Sequence, residues 1–395
     1  MVGPSAATTE SSADHASQSL TPAQAENEAH DVVAASVDDP AVTTAGGAVP
    51  VAVTSIGSDG TPRIEQVMSS DPDTAADEVR AIADATVSDG GQVLTVETDL
   101  AVQVDGAPIT DDPWRPQQWA LSQFDFEAVW PRGNGTGACV AVVDSGVQID
   151  HPDLTGVVVA SNDWTGQGVS VAGGHGTHVA GIIAAVPHNA VGTVGAAPGI
   201  DMLNAKVLRS DGAGWDSWVA AGVVWAVDQG ADVINLSLGS SCLPTPPISC
   251  RSTAMEQAMD HARDHDVVVV ASAGNDGASG RWSWPAAFEW PIAVASVSQN
   301  GAHSDFSTIA PYVDVTAPGA EILSTLAGNG YGYASGTSMS APYVTALAAL
   351  SLSAHPSESA LQTRNRIQST ATDRGTPGTD PSFGHGVVEP GLATA

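Results

Sequence analysis

Apolar and polar positions alternate in two different ways along this chain, and the style changes near residue 106. Before that point VPVAVTSI alternates as a strand. DPDTAADEVRAIADAT carries its apolar residues at helical spacing behind an aspartate, and QVLTVETDLAVQV reads as further strand. Residues 48–105 are therefore expected to form a small α+β unit. Ahead of it, residues 1–47 are rich in Ala, Ser, Thr, Gln and acids with no sustained apolar period, the pattern of a disordered acidic segment. Behind it, the Gly, Pro and Asp content of GAPITDDPWRPQQW marks residues 106–116 as an exposed linker and a domain boundary.

From residue 117 to 395 the runs are longer and more apolar. GACVAVVDSG, DMLNAKVL, ADVINLSLG and DVVVVASAGN read as strands. They are separated by helical patterns in GHGTHVAGIIAAV, WDSWVAAGVVWAVDQG, STAMEQAMDHARDHD and MSAPYVTALAALSLSA. Continuous apolar strands between helices predict an α/β fold, a doubly wound and mostly parallel sheet with helices on both faces. In such sheets reactive side chains gather at the carboxyl ends of strands. The best apolar runs, His178 to Val186 and Val267 to Ala271, fall well short of the roughly 18 residues a membrane helix needs, so no membrane partner is expected.

Charge narrows the function classes. The chain has 44 acidic and 12 basic side chains, a formal charge of −32, which sets it against phosphate backbones and anionic lipid and excludes nucleic acid as a partner. Residues 1–112 hold 20 acids and 2 bases, and the remainder holds 24 and 10, so an acidic tail alone does not account for the excess; adaptation to high salt is the other reading. Lysine occurs once, at Lys206. Cys242 and Cys250 bracket CLPTPPISC and are either a disulfide, which favours an oxidising compartment, or two unpaired loop thiols. Cys139, inside ACVAVVD, reads as a buried core thiol. MVGPSAATTESSADHASQS has neither a basic nor an apolar signal region, which leaves a cytoplasmic protein or an exported one whose signal is missing from this sequence.

Three segments carry candidate chemistry. Asp144 ends the strand CVAVV, where a turn or helix-cap role is the plain alternative. His175 opens a helix among glycines that let another backbone come close. His178, three residues on, suggests a metal, but no glutamate accompanies the pair as in a zinc-protease helix. Ser338 stands in SGTSMSAPYV ahead of a helix, where serine is also an ordinary N-cap.

Taken together and in order, VAVVDSGVQIDHPDL, GGHGTHVAGIIAAV and GTSMSAPYV resemble the signatures of the subtilisin-like serine proteases, the subtilases of peptidase family S8. VVVVASAGND, INLSLG, DFSTIAPYVDVTAPGAEILST and FGHGVVEP follow the same pattern, so the likeness runs from about Gln117 to Leu392. The resemblance implies a serine endopeptidase working through an acyl-enzyme on polypeptide substrates. Ser338 would be the nucleophile, His175 the general base and then acid, Asp144 the carboxylate that orients the imidazole, and Asn275 an oxyanion donor beside the Ser338 N–H.

It further implies that Ser237, Leu238 and Gly239 form one wall of the substrate pocket and Ala271, Ser272, Ala273 and Gly274 another, with Ser283 at the floor. No acidic cluster marks these segments, so apolar side chains are expected there rather than basic ones. No cofactor is required for the chemistry. A structural calcium ion is implied at Asp153, Gln118 and the loop of Val186, Asn189, Val191 and Thr193, although PHNAVG is one residue longer than the family loop. The unit at 48–105 resembles, by topology, the family's propeptide, a folding template and inhibitor, with self-cleavage between Gly106 and Asp112. The expectation is a secreted zymogen, monomeric and partnered by its own propeptide. The competing readings are a cytoplasmic regulatory protease and a binding protein with a silenced site.

Overall fold

The computed structural model describes residues 19–36, 48–59, 61–98, 110–245 and 250–395. The chain divides into two compact units, Met1–Asp105 and Gly106–Ala395.

In the first unit, β1 (Val49–Ile56) is the centre of an antiparallel sheet, flanked by β2 (Pro62–Ser69) and β3 (Gln92–Thr98). Helix α2 (Pro72–Ser88) starts where the sequence places it, with Asp71 accepting the Thr74 N–H. The strand β2 carries no clear signal in the sequence; half of it faces outward, with Ile64 and Met68 exposed, and its pattern is too polar to read as a strand.

The expectation of disorder up to residue 47 is corrected over part of its length. Pro22–Ser36 is a helix, α1, that buries Ala25, Ala29 and Val33 against α2 and the sheet. Its apolar stripe is mostly alanine, which barely registers as hydrophobic. A start signal is nonetheless present, since Thr21 and Gln24 exchange capping bonds around Pro22. Residues 1–18 and 37–47, which that expectation also covered, lie outside the described residues, as do residues 99–109.

The second unit begins with α3 (Trp119–Phe124) and is built on a parallel sheet of seven strands. Five are β4 (Cys139–Asp144), β5 (Val158–Asp163), β6 (Asp201–Lys206), β7 (Val233–Leu236) and β9 (Val268–Ser272); β11 (Ile292–Val297) and β12 (Val315–Pro318) complete it. The order is β12-β11-β9-β7-β4-β6-β5, so the winding reverses beside β4. Alternate residues of each strand serve opposite faces. Val140 and Val142 pack with α4 (Gly174–Ala184) and α7 (Thr337–Ala354), whereas Ala141 and Val143 pack with α5 (Asp216–Asp228) and α6 (Thr253–Asp264). Burial on both faces is why these strands read as unbroken apolar runs.

Two small ribbons lie outside this sheet. β8 (Ser240–Cys242) pairs with β10 (Trp282–Trp284), and β13 (Ile322–Leu326) pairs with β14 (Gly330–Ala334). Helices α8 (Ala360–Ser369) and α9 (Pro390–Ala393) close the chain.

The linker expected to be exposed at 106–116 is mixed where it is described, with Asp111, Pro113, Trp114 and Pro116 exposed. Thr110, Asp112 and Arg115 are buried within the second unit. Asp112 accepts the N–H groups of His188 and Asn189, and Arg115 is ion-paired with Glu127. A composition that usually means solvent is tolerated here because each buried charge has a partner.

Candidate active site

Asp144 is the last residue of β4, at the topological switch of the sheet, and is fully buried. Its Oδ1 accepts the Ser145 N–H at 2.6 Å, and both oxygens lie 2.9 Å from Nδ1 of His175. That pairing excludes the plain turn-residue alternative. The glycines around His175 serve the close approach expected of them. A Cβ on Gly173 would lie 2.0 Å from Ser145 Oγ, and one on Gly176 2.7 Å from the Gly146 carbonyl. The Gly176 N–H donates to Ser145 Oγ at 3.0 Å, so the residue after the aspartate caps the helix that carries the histidine. The negative charge of Asp144 raises the His175 pKa, with burial opposing it.

His178 is held by backbone carbonyls. It is buried, its Nε2 donates to the Ile322 and Gly332 carbonyls at 3.1 Å each, and burial lowers its pKa to about 4.

Ser338 lies in the first turn of α7, one residue inside the helix, so Gly336 takes the cap position instead. Its hydroxyl donates to the Ser237 carbonyl at 3.2 Å, and Ser237 Oγ donates to the Ser338 carbonyl at 2.8 Å. No hydrogen bond joins Ser338 to His175 among the described residues. Asn275 has its Oδ1 held by the Thr337 N–H at 2.9 Å and the Thr337 hydroxyl at 3.1 Å. That leaves its Nδ2 turned toward Gly336, where a Cβ would stand 3.2 Å away. Thr337 and Ser145 escape a reading of the sequence alone, although both are embedded in the motifs, beside Ser338 and Asp144.

A cavity of about 500 Å³ adjoins His175 and Ser145, lined by Leu208, Trp215, Val219, Ser237, Leu238 and Gly239 among others. Ser283 does not line this cavity but packs close to Gly239 and Gly274. A Cβ on Gly239 would lie 2.8 Å from Ser283 Oγ, and one on Gly274 3.0 Å from Ser283 Cβ. Ala271 and Ala273 bury their side chains in the core, and Ser272 ends β9 almost fully buried, so any part this segment plays in a wall falls to its backbone. Cys242 is disulfide-bonded to Cys250, with Cα atoms 6.0 Å apart, while Cys139 is half-buried rather than in the deep core, its pKa pushed up to about 11 by burial.

The residues implied for calcium converge on Asp153. Its carboxylate accepts from Asn189 Nδ2 at 2.9 Å, the Thr193 N–H at 2.7 Å and the Thr193 hydroxyl at 3.1 Å. Gln118 clasps the Val194 backbone, and the Asn189 Oδ1 accepts the Val191 N–H. No donor among the described residues reaches the carbonyls of Val186, Val191 or Thr193. Burial, with Asp112 nearby, pushes the Asp153 pKa up to about 6. The open carbonyls are hard oxygens of the kind calcium takes, whereas the Asp153, Asn189 and Gln118 side-chain oxygens are held by N–H and O–H donors of the chain itself.

Asp144 ends a strand and is bonded to His175 at a helix start, and Ser338 is tied to Ser237 on the wall of the cavity that His175 adjoins; these are the residue types of the serine-protease class. The comparisons agree with that class. The Subtilase family model matches residues 135–386, and the chain belongs to that family. It is 40% identical over 277 residues to a thermostable alkaline protease of Halalkalibacterium halodurans, covering 70% of this chain and 73% of that one. It is 41% identical over 263 residues to subtilisin NAT of Bacillus subtilis subsp. natto, covering 64% and 66%. Among solved structures, a protease from Pseudoalteromonas arctica PAMC 21717 superposes with a TM-score of 0.63 at 29% identity, over 73% of this chain and 99% of that one. The protein is a subtilisin-like serine protease.

Proposed function

We propose that Ser338, His175 and Asp144 act as a nucleophile–base–orienter triad in a secreted endopeptidase made as a zymogen. The observation that carries this reading is the pair of 2.9 Å contacts between His175 Nδ1 and Asp144. They fix the tautomer that leaves Nε2 free to accept a proton. In the reaction the Ser338 hydroxyl leaves the Ser237 carbonyl and bonds to that nitrogen. Oγ then attacks the scissile carbonyl carbon while Nε2 takes the hydroxyl proton, and the imidazolium returns that proton to the departing amine. Water hydrolyses the acyl-enzyme by the same steps in reverse. The developing oxyanion is met by Asn275 Nδ2, preorganised through Thr337, and by the Ser338 N–H at the start of α7.

The cavity beside His175, walled by Leu208, Val219 and Leu238, supports a preference for apolar side chains in the substrate. The Cys242–Cys250 disulfide supports export to an oxidising compartment. The first unit acts as a propeptide. Self-cleavage falls between Gly106 and Asp112, ahead of the point where Asp112 is bonded to the His188 and Asn189 N–H groups. Asp153, Gln118 and Asn189, with the carbonyls of Val186, Val191 and Thr193, would hold a calcium ion that steadies this loop and takes no part in the chemistry.

The test compares wild type with Ser338→Ala by N-terminal sequencing, hydrolysis of a denatured protein and labelling with a serine-directed organophosphate. Processing, hydrolysis and a label on Ser338 are expected in the wild type only. Equal processing in both proteins refutes self-cleavage, and an unlabelled wild type refutes the nucleophile.

A further inference from the structure

The single lysine of this chain is not on the surface. Lys206 is fully buried at the end of β6, in register with Asp144 on one neighbouring strand and Asp163 on the other. Burying an ammonium is costly, and an apolar side chain of the same length would fill the space without that cost. The sequence uses arginine for its other eleven basic residues, so a lysine here answers a local need for a compact charge.

Its contacts show what that need is. Nζ donates to the Ser145 carbonyl at 2.6 Å and to the Leu208 carbonyl at 3.1 Å. Ser145 binds Asp144 through its N–H and the His175 helix through its hydroxyl. Leu208 lines the substrate cavity, and the N–H groups of Val207 and Leu208 both donate to the Asp144 carbonyl. One ammonium thus ties together the aspartate turn, the start of the histidine helix and the wall of the groove. Gly146 supplies the room: its φ is +95°, and a Cβ there would stand 3.1 Å from Lys206 Cδ.

We propose that Lys206 is a positioning residue for the Asp144–His175 pair, holding the Ser145 junction in register with the substrate groove and placing a fixed positive charge behind the pair. The carboxylates whose fields reach this charge are Asp144, Asp163 and Asp211, and His175 lies beyond Asp144. Such a charge opposes the imidazolium and so lowers the proton affinity of His175. The inference rests on the triad reading above.

Full-length wild type, Lys206→Met and Lys206→Arg are matured, their active sites counted by organophosphate labelling of Ser338, and kcat, KM and the pH dependence of kcat/KM measured on one peptide substrate. In Lys206→Met, kcat per labelled site is expected to fall roughly tenfold or more. Its acid limb is expected to move up by about half a pH unit, because the charge opposing the imidazolium is gone. Lys206→Arg keeps the charge but not the fit, so its acid limb stays while kcat falls several-fold. Wild-type kcat per labelled site and an unmoved acid limb in Lys206→Met, with only a lower melting temperature, overturn the proposal. Should that variant not fold, wild-type kcat in Lys206→Arg overturns it instead. A wild type that fails to label at Ser338 brings down the triad reading itself, a result distinct from either.

Discussion

The two units of this chain solve the burial problem with different means. The first is a three-stranded antiparallel sheet whose fully covered core, among the described residues, is made of alanine and valine. The second covers a seven-stranded parallel sheet on both faces and buries Tyr343, Phe126, Leu121, Leu154 and several isoleucines. Small side chains remove less apolar area from water, and a small domain buries a smaller fraction of its surface. The first unit is also crowded with like charge, residues 1–105 holding 18 acids against 2 bases. The contrast is between a strongly acidic unit with small core side chains and a larger unit that holds Asp144, His175 and Ser338.

The largest test of that division is chemical. Ser338→Ala is expected to reduce peptide hydrolysis by about 10⁶ in kcat and Asn275→Leu by about 10² to 10³ with KM little changed; both magnitudes are borrowed from the behaviour of a subtilisin that has lost the corresponding groups. Substitutions confined to the first unit should leave kcat of the matured enzyme untouched. An equal loss from Val53→Ala would break the comparison.

Stability separates the units next. Unprocessed Ser338→Ala protein should melt in two steps followed by circular dichroism, the first unit unfolding at the lower temperature. Val53→Ala, which truncates a fully buried strand residue, should cost about 2 kcal/mol and lower only the first step. A single transition that moves as a whole would show one cooperative body.

Calcium should act on the other step. At pH 8, adding calcium to chelator-treated protein is expected to raise the second transition by about 5 °C and leave the first in place. The gain should shrink at pH 5, since Asp153, with its pKa pushed up to about 6, then holds a proton that competes with the ion. In metal-free protein the sign reverses. The folded state binds that proton more tightly than the unfolded one, so stability contributed by Asp153 declines as pH rises from about 4 to 6.

The smallest expected effect is in the pH profile. Hydrolysis needs a neutral imidazole, and Asp144 raises the His175 pKa, so the acid limb of kcat/KM should lie above the ordinary histidine range. The same pairing adds stability below that range and loses it as pH climbs through the raised value.

Much of this was legible in the chain. The apolar runs of β4, β6, β7 and β9 and the helices between them announced a parallel sheet, because burial on two faces leaves no room for polar alternation. The helix α1 was hidden because alanine carries little hydrophobic signal, and β5 because half of it, Ser161 to Asp163, is polar and only partly buried. Asp112 and Arg115 looked exposed because composition does not show that they meet buried partners.

Sequence alone determined the residue types and their order: an aspartate ending a strand, a histidine among glycines, a serine opening a helix, and a solitary lysine closing another strand. Only the fold decided that the aspartate faces the histidine, that Thr337 orients Asn275, and that the lysine lies in register with the aspartate rather than in solvent. The reason is physical. Local pattern governs which face of an element is buried, whereas the catalytic contacts join segments more than thirty residues apart, and those distances are set by how strands stack across the sheet.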